Sequence, residues 1–339
     1  MPPPTEFQRR IFNSSYTFRK EVLMYQTVIP AYRLLEKDYG TKESDLFDIL
    51  PKYYGSRYSL DPKIEFDDNA AILLENLKQR GYYTGRREVG YDLDHSILAI
   101  RAMARFHALG IAVKYKKPDV FEELKKASKC MQLDTTEFEN SHIPVLKSIR
   151  ENPVTNAYYD RCEKILTDKD LLDEWFGVPT EPWATIIHSD FWVNNIMFHK
   201  DQDGHVDDVK FVDFQNYVYS KPVRELIFYL HSSVDDDVQA NHLEELVDLY
   251  YDTFISVLKK MDCDVTPFAR AKFDAEFPID AKIEFVHLSF MIKVLTLNAK
   301  EINLDSSTMK TVMLNYSGNE IYKNKLQRVI LYFAERNWI

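Results

Sequence analysis

The spacing of apolar residues divides this chain into a short mixed front and a long, mostly helical rear. Between Tyr16 and Leu35, Phe18, Val22, Tyr25 and Ile29 recur every three or four residues, which predicts a helix that Pro30 bends or ends. Leu46–Tyr54 and Ala70–Leu74 are expected strands around the polar turn DPK, and ENLKQRG (75–81) is an expected connector. Asp94 is expected to cap a buried helix through SILAIRAMARFHAL that Gly110 closes, with His107 a core or capping histidine. Residues 115–175 have a charged, helical pattern, and the lysines of KYKKPDV are expected on a solvated face. Helical spacing returns over 241–260, 280–299 and 318–336. The exception is residues 185–216, where TII, HSDFWVNN, IMFH, DQDGHVD and VKFVDFQN alternate as strand, polar loop, strand, Gly-containing turn and strand.

Composition narrows the class. At 339 residues the chain can hold one large domain or two lobes. The 21 Phe and 21 Tyr suit ordinary core packing and are compatible with a pocket for a ring-bearing substrate. A net charge of -10 argues against a backbone-dominated nucleic-acid binder. Cys130, Cys162 and Cys263 form no CxxC pair, so neither a disulfide scaffold nor a thiolate metal site is supported. MPPPTEFQRRIF has no apolar signal core, and no apolar run is read as a membrane span. The expectation is a cytoplasmic protein with no obligate protein partner.

The loop of the exceptional segment carries the chemistry. If IMF pairs with KFV, Asn195 at the start of one arm and Asp213 at the end of the other approach each other. They then offer the hard oxygens that Mg²⁺ takes beside phosphate groups. Asp190 at the other end of the loop can orient or deprotonate a hydroxyl, a division of labour suited to phosphoryl transfer. Metal-assisted hydrolysis and an aspartyl nucleophile use the same groups. The lack of closely spaced histidines weakens a zinc site. A polar turn that satisfies its own backbone needs no ligand at all.

HSDFWVNN followed by VKFVDFQ resembles the HGDxWxxN and later DFQ of the choline-kinase and aminoglycoside-phosphotransferase superfamily. More narrowly, it is similar to the insect ecdysteroid-kinase-like, or CHK-kinase-like, family. FRKEVLMYQTVIP (18–30), LLENL (73–77), RREVGYDLDHS (86–96), ARFHA (104–108) and PVRELIFYLHSS (222–233) extend the likeness along most of the chain. The resemblance implies an α+β, protein kinase-like two-lobed fold. Residues 1–77 would form a partial N-terminal lobe and hinge, and 78–339 a large, mainly helical catalytic and substrate-binding lobe. It makes Asp190 the catalytic base, His188 the brace of its loop, and Asn195 and Asp213 the magnesium ligands. Glu21 becomes the helix acid that pairs with an ATP-phosphate lysine. The hinge beside adenine falls on Leu74–Leu77 and includes Glu75, Asn76 and Leu77. Ser189 stands where the family commonly has Gly, and Glu225 where it commonly has Asp.

On the same resemblance the small N-terminal lobe is truncated: the strands bearing the nucleotide-covering loop and the lysine are expected to precede Met1. Lys20 is not expected to replace that lysine, because adjacent helical side chains do not face each other. The expected function is ATP- and Mg²⁺-dependent phosphorylation of a small-molecule hydroxyl, on an ecdysteroid or similar lipophilic alcohol. The competing expectation is an inactive homologue that acts as a ligand-binding or protein-interaction module. An acceptor cleft is expected to draw on residues 115–175 and 234–300.

Overall fold

The chain enters the fold through a helical rod, α1 (Ser14–Leu23) running through one π turn (Met24–Val28) into α2 (Ile29–Asp38). The computed structural model describes residues 9, 13–130, 140–297 and 318–339. Pro30 does not end the rod. Its missing N–H would break the regular ladder, and the widened π turn lies immediately ahead of it. Val22, Met24, Val28, Tyr32 and Leu35 along the rod are buried. The strands β1 (Tyr53–Arg57) and β2 (Ala71–Leu74) pair antiparallel, Tyr53 opposite Leu74 and Arg57 opposite Ala71. The strand expected from Leu46 therefore starts only at Tyr53. Leu46, Phe47, Ile49 and Leu50 are apolar because they enter the core, not because they join that ladder.

The central helix α3 (Leu93–Lys116) departs from its predicted limits at both ends. Asp92, not Asp94, is the N-cap, and its side chain accepts from the His95 amide. Gly110 does not stop the helix. It lies inside it, where a Cβ would come within 2.3 Å of Thr185 Oγ1 and 2.7 Å of the Tyr32 hydroxyl. The glycine marks a close approach of strand and helix. Contrary to expectation, α3 is also long and apolar enough to cross a membrane, but 72% of its apolar window is buried inside the fold.

Four helices follow: α4 (Pro118–Ala127), α5 (His142–Glu151), α6 (Tyr159–Leu166) and α7 (Lys169–Phe176). The lysines of KYKKPDV are not a free solvated face. Lys114 binds Glu181 and the Pro182 and Ala184 carbonyls, Lys116 binds Asp262, and Lys117 binds Asp38. Then come β3 (Thr185–Ile187), β4 (Ile196–Lys200), β5 (Val206–Phe211) and β6 (Val218–Ser220). The rear is α8 (Pro222–Ser232), α9 (Asp236–Asn241), α10 (Leu243–Lys260), α11 (Arg270–Thr296) and α12 (Glu320–Glu335). Residues 131–139 of the expected helical stretch over 115–175, 298–299 of that over 280–299, and the N-terminal residues 1–8 and 10–12 lie outside the described residues.

β3 pairs with β6, and β4 pairs with β5, both antiparallel. Ile196 faces Phe211 and Phe198 faces Val209, a register one residue earlier on β5 than IMF against KFV. The hairpin is clamped from both sides. Tyr83 exchanges both backbone bonds with Phe198, and Phe211 donates to the Ile49 carbonyl at 2.7 Å. The front of the chain is thus stitched to the strands that carry the polar loop.

Gly110→Ala should destabilise the fold by about 1–3 kcal/mol despite the better helix propensity of Ala, because the added methyl has no room beside Thr185. A lower urea midpoint with an unchanged slope is the expected result; an unchanged or higher midpoint contradicts the close approach.

Candidate functional site

The polar loop His188–Asn195 leaves β3 with its backbone held by three buried side chains. His188 Nε2 donates to the Val212 carbonyl at 2.9 Å, and its Nδ1 accepts from the Asp190 amide at 3.3 Å. One neutral imidazole therefore ties the start of the loop to the residue before Asp213. Glu225 Oε1 accepts from the Ser189 amide at 2.6 Å, while Oε2 meets His107 Nε2 at 2.7 Å and His107 Nδ1 meets the Tyr250 hydroxyl at 2.8 Å. His107 is wholly buried, so the core role expected for it holds, and it belongs to a relay across α3, α8 and α10. At the far end of the loop, the Tyr91 hydroxyl holds the Val193 and Ile196 carbonyls at 3.0 and 2.8 Å.

Two residues of the site take left-handed backbone conformations: Ser189 at φ 67° and Asp213 at φ 65°. Such conformations cost a residue with a Cβ about 1–2 kcal/mol. Ser189 is tolerated where Gly would be easier because Glu225 grips its amide. Asp213 turns the chain out of β5 at that point.

These turns bring the expected residues together. Asn195 Nδ2 donates to the Asp190 carbonyl at 2.8 Å and to Asp190 Oδ2 at 2.9 Å, and the Asn195 carbonyl accepts from the Val212 amide at 3.0 Å. Asp190, Asn195 and Val212, the residue before Asp213, form one hydrogen-bonded unit. Burial, reinforced by the Asp190 charge, pushes the Asp213 carboxyl up to about 6. Glu21, on α1, is pushed up to about 7 by burial and by the negative charge of Asp213. Three acids thus share one electrostatic neighbourhood. All the donors they and Asn195 offer are hard oxygens, a set that fits Mg²⁺.

Lys20 does not join them. Its ammonium donates to the Lys129 carbonyl at 3.0 Å and lies 4.9 Å from the Tyr217 ring centroid, and burial lowers it to about 8. The connector residues make other contacts. The Glu75 amide donates to the Lys52 carbonyl, its carboxylate binds Arg80, and the Leu77 carbonyl accepts from the Tyr82 amide. Asn76 adjoins the short turn Leu77–Arg80. A few residues on, Tyr83 bridges the chain to Phe198 on β4. An exposed trio, Asp201, Asp203 and His205, also has clustered ligand atoms, but the Asp201 carboxylate accepts from the Asp203 and His205 amides and closes the hairpin turn.

The sequence model of the ecdysteroid kinase-like family matches residues 1–263 of the 339, a span that contains the loop, both hairpin arms and α8. The chain belongs to that family. No curated protein shows a match to it. For an ecdysteroid kinase-like protein the architecture has a consistent reading: a mostly helical, two-lobed kinase-like fold. The smaller part is the α1–α2 rod with the β1–β2 pair, and the larger part is helical around two short two-stranded sheets. Tyr91, His107 and Tyr250 were not singled out as site residues by sequence reasoning. Tyr91 and His107 sit inside quoted motifs, but only the fold shows what they hold.

Acids raised by burial make stability fall with rising pH. Between about pH 4 and 7 the folded chain keeps protons on Asp213 and Glu21 that the unfolded chain has released. The loss is on the order of a few kcal/mol and is complete above pH 7. Asp213→Asn should therefore melt higher than the parent at pH 8 and no higher at pH 4, and millimolar Mg²⁺ should raise the pH 8 melting temperature of the parent more than that of the variant. Equal shifts at both pH values would contradict the electrostatic account.

Proposed function

We propose that this ecdysteroid kinase-like chain is an ATP- and Mg²⁺-dependent kinase that transfers a phosphoryl group to a hydroxyl of a small molecule. The acceptor class that the family name supports is an ecdysteroid or a similar lipophilic alcohol. The observation that carries the reading is the hydrogen-bonded unit of Asp190, Asn195 and Val212, the residue before Asp213, found in a chain of this family.

In this reading Asp190 orients the acceptor hydroxyl and takes its proton as the oxygen bonds to the γ-phosphorus and ADP leaves. Asn195 and Asp213 would hold Mg²⁺, which would supply neutralising charge to the phosphate oxygens. The Asn195 bond to Asp190 Oδ2 fixes the carboxylate's orientation, and His188 and Glu225 fix the backbone beneath it. Positioning of this kind is most of what phosphoryl transfer asks of a protein. Glu75, Asn76 and Leu77 are proposed to border adenine, with the division between lobes at residues 77 and 78. Dependence on ATP suits a cytoplasmic setting. A binding-only reading draws on one observation, that the Lys20 ammonium turns to the Lys129 carbonyl and not to Glu21.

Calorimetry of the chain with ATP should give binding that requires Mg²⁺ and weakens in Asp213→Asn. Asp190→Ala should keep nucleotide binding while turnover of an ecdysteroid falls by roughly 10²–10⁴-fold. Nucleotide binding without any turnover would favour the binding-only reading, and a folded chain that ignores Mg²⁺ and ATP would rule out the kinase.

A further inference from the structure

Away from the polar loop, the start of α3 carries a second set of groups with nucleophile chemistry. The Tyr83 hydroxyl meets His95 Nε2 at 2.7 Å, and His95 Nδ1 meets Asp92 Oδ1 at 2.5 Å. An ionised Asp92 takes the Nδ1–H bond, which leaves the Nε2 lone pair to accept from the phenol. A hydroxyl, a base within hydrogen-bond reach and a carboxylate that orients the base are the parts that activate serine in hydrolases. Capping α3 asks for less. Asp92 caps the helix by accepting from the His95 amide, and that bond needs neither the imidazole nor the phenol.

Each of the three groups sits on a firm support. Tyr83 exchanges both backbone bonds with Phe198 of β4. The Tyr91 ring stacks on His95 at 5.6 Å with 17° between the planes, and the Phe198 ring meets His95 edge-on at 4.9 Å. The imidazole is thus pinned with Nε2 toward the phenol. The set lies at the surface: the Asp92 side chain is 60% exposed and Tyr83 is partly exposed. Lys200, also exposed, places its ammonium 5.8 Å from the Tyr83 ring centroid. Burial, and then the Asp92 charge, raise the Tyr83 phenol above its ordinary value. It keeps its proton at rest, so that proton has to move to His95 as a new bond forms.

We propose that Tyr83 is a nucleophile, with His95 its general base and Asp92 the positioning residue, that takes the acyl group of an activated carboxylic ester. The Tyr83 oxygen bonds to the acyl carbon, its proton passes to His95 Nε2, and the ester C–O bond breaks as the leaving phenolate or alcoholate departs. The nearby Lys200 ammonium favours the negative charge that develops on the acyl oxygen. This site is separate from the kinase reading and needs neither nucleotide nor Mg²⁺.

Treatment of the full chain with p-nitrophenyl acetate, followed by peptide mass mapping, tests the assignment. Tyr54 is 57% exposed and its hydroxyl meets no histidine among the described residues, so it serves as the internal control. Tyr83 should be acetylated roughly tenfold faster than Tyr54 or more, with early release of about one equivalent of nitrophenolate. Tyr83→Phe should abolish that early release. Asp92→Asn keeps a capping side chain and should slow acetylation of Tyr83 by roughly tenfold or more, leaving Tyr54 unchanged. Tyr83 acetylated no faster than Tyr54, or equally fast in the parent and Asp92→Asn, overturns the proposal, since a network that only braces the helix gives those results. The ratio of the two tyrosines is read in the parent alone, so it decides the matter even where a variant fails to fold.

Discussion

The buried carboxylate of Glu225 is the point on which the site depends. One oxygen holds the Ser189 amide and the other holds His107, which reaches Tyr250, so four separate parts of the chain meet on one side chain. A charge-assisted bond to a backbone amide is among the stronger contacts available inside a protein. Here it offsets the left-handed backbone that Ser189 must adopt. The same neighbourhood explains the tight packing of α3 on β3. Thr185 donates to the His107 carbonyl at 3.0 Å, and Gly110 one turn later leaves room for that strand. The loop therefore rests on three helices and a strand, and its geometry does not depend on its own short length.

Placing acids together has a cost that this anchoring makes tolerable. Asp213 and Asp190 repel, and Glu21 feels Asp213 from the rod. In an isolated loop the repulsion would be relieved by movement. Here His188 bonds Val212, Asn195 bonds both Asp190 and Val212, and Phe211 is tied to Ile49. The carboxylates cannot easily separate, so the remaining routes to relief are a proton or a cation. A scaffold that holds carboxyl groups this close favours the bound proton or a nearby positive charge.

Much of the site was legible because it is contiguous. The β3-to-β5 segment carries its loop, turn and strand signals within about thirty residues; the structure shifts the register by one residue, starts β5 at Val206 inside the expected turn and ends it at Phe211, ahead of a helical turn over Phe214–Asn216. The helical rear was legible in α10 and α12, which follow regular apolar spacing, whereas α11 begins at Arg270, well before the expected 280. What failed depended on distant partners. Gly110 looks like a helix stop until Thr185 and Tyr32 are seen against it. Asp94 looks like a cap as good as Asp92, and only the backbone angle of Asp92 decides between them. Leu46–Leu50 shows strand-like apolarity because it fills the core. The Pro30 signal was real, but tertiary burial of the rod on either side outweighs the loss of one helical bond, and a π turn absorbs the mismatch.

α8 shows how a single short helix can hold two separate parts of the fold. Its first turn carries Arg224 and Glu225 side by side, and their side chains diverge by about 100° around the axis. Glu225 fixes the loop that bears Asp190. Arg224, with Lys221, fixes Asp280 and so sets the position of α11. A displacement of α8 would move both sets of groups together, which keeps the distance between them constant. For keeping two distant parts of the fold in register, a shared rigid support matters more than the strength of any one contact. That reasoning also gives a physical motive for the buried ion pairs. Their net contribution to stability is small once desolvation is counted, and their value lies in fixing α11 against α8 in one arrangement.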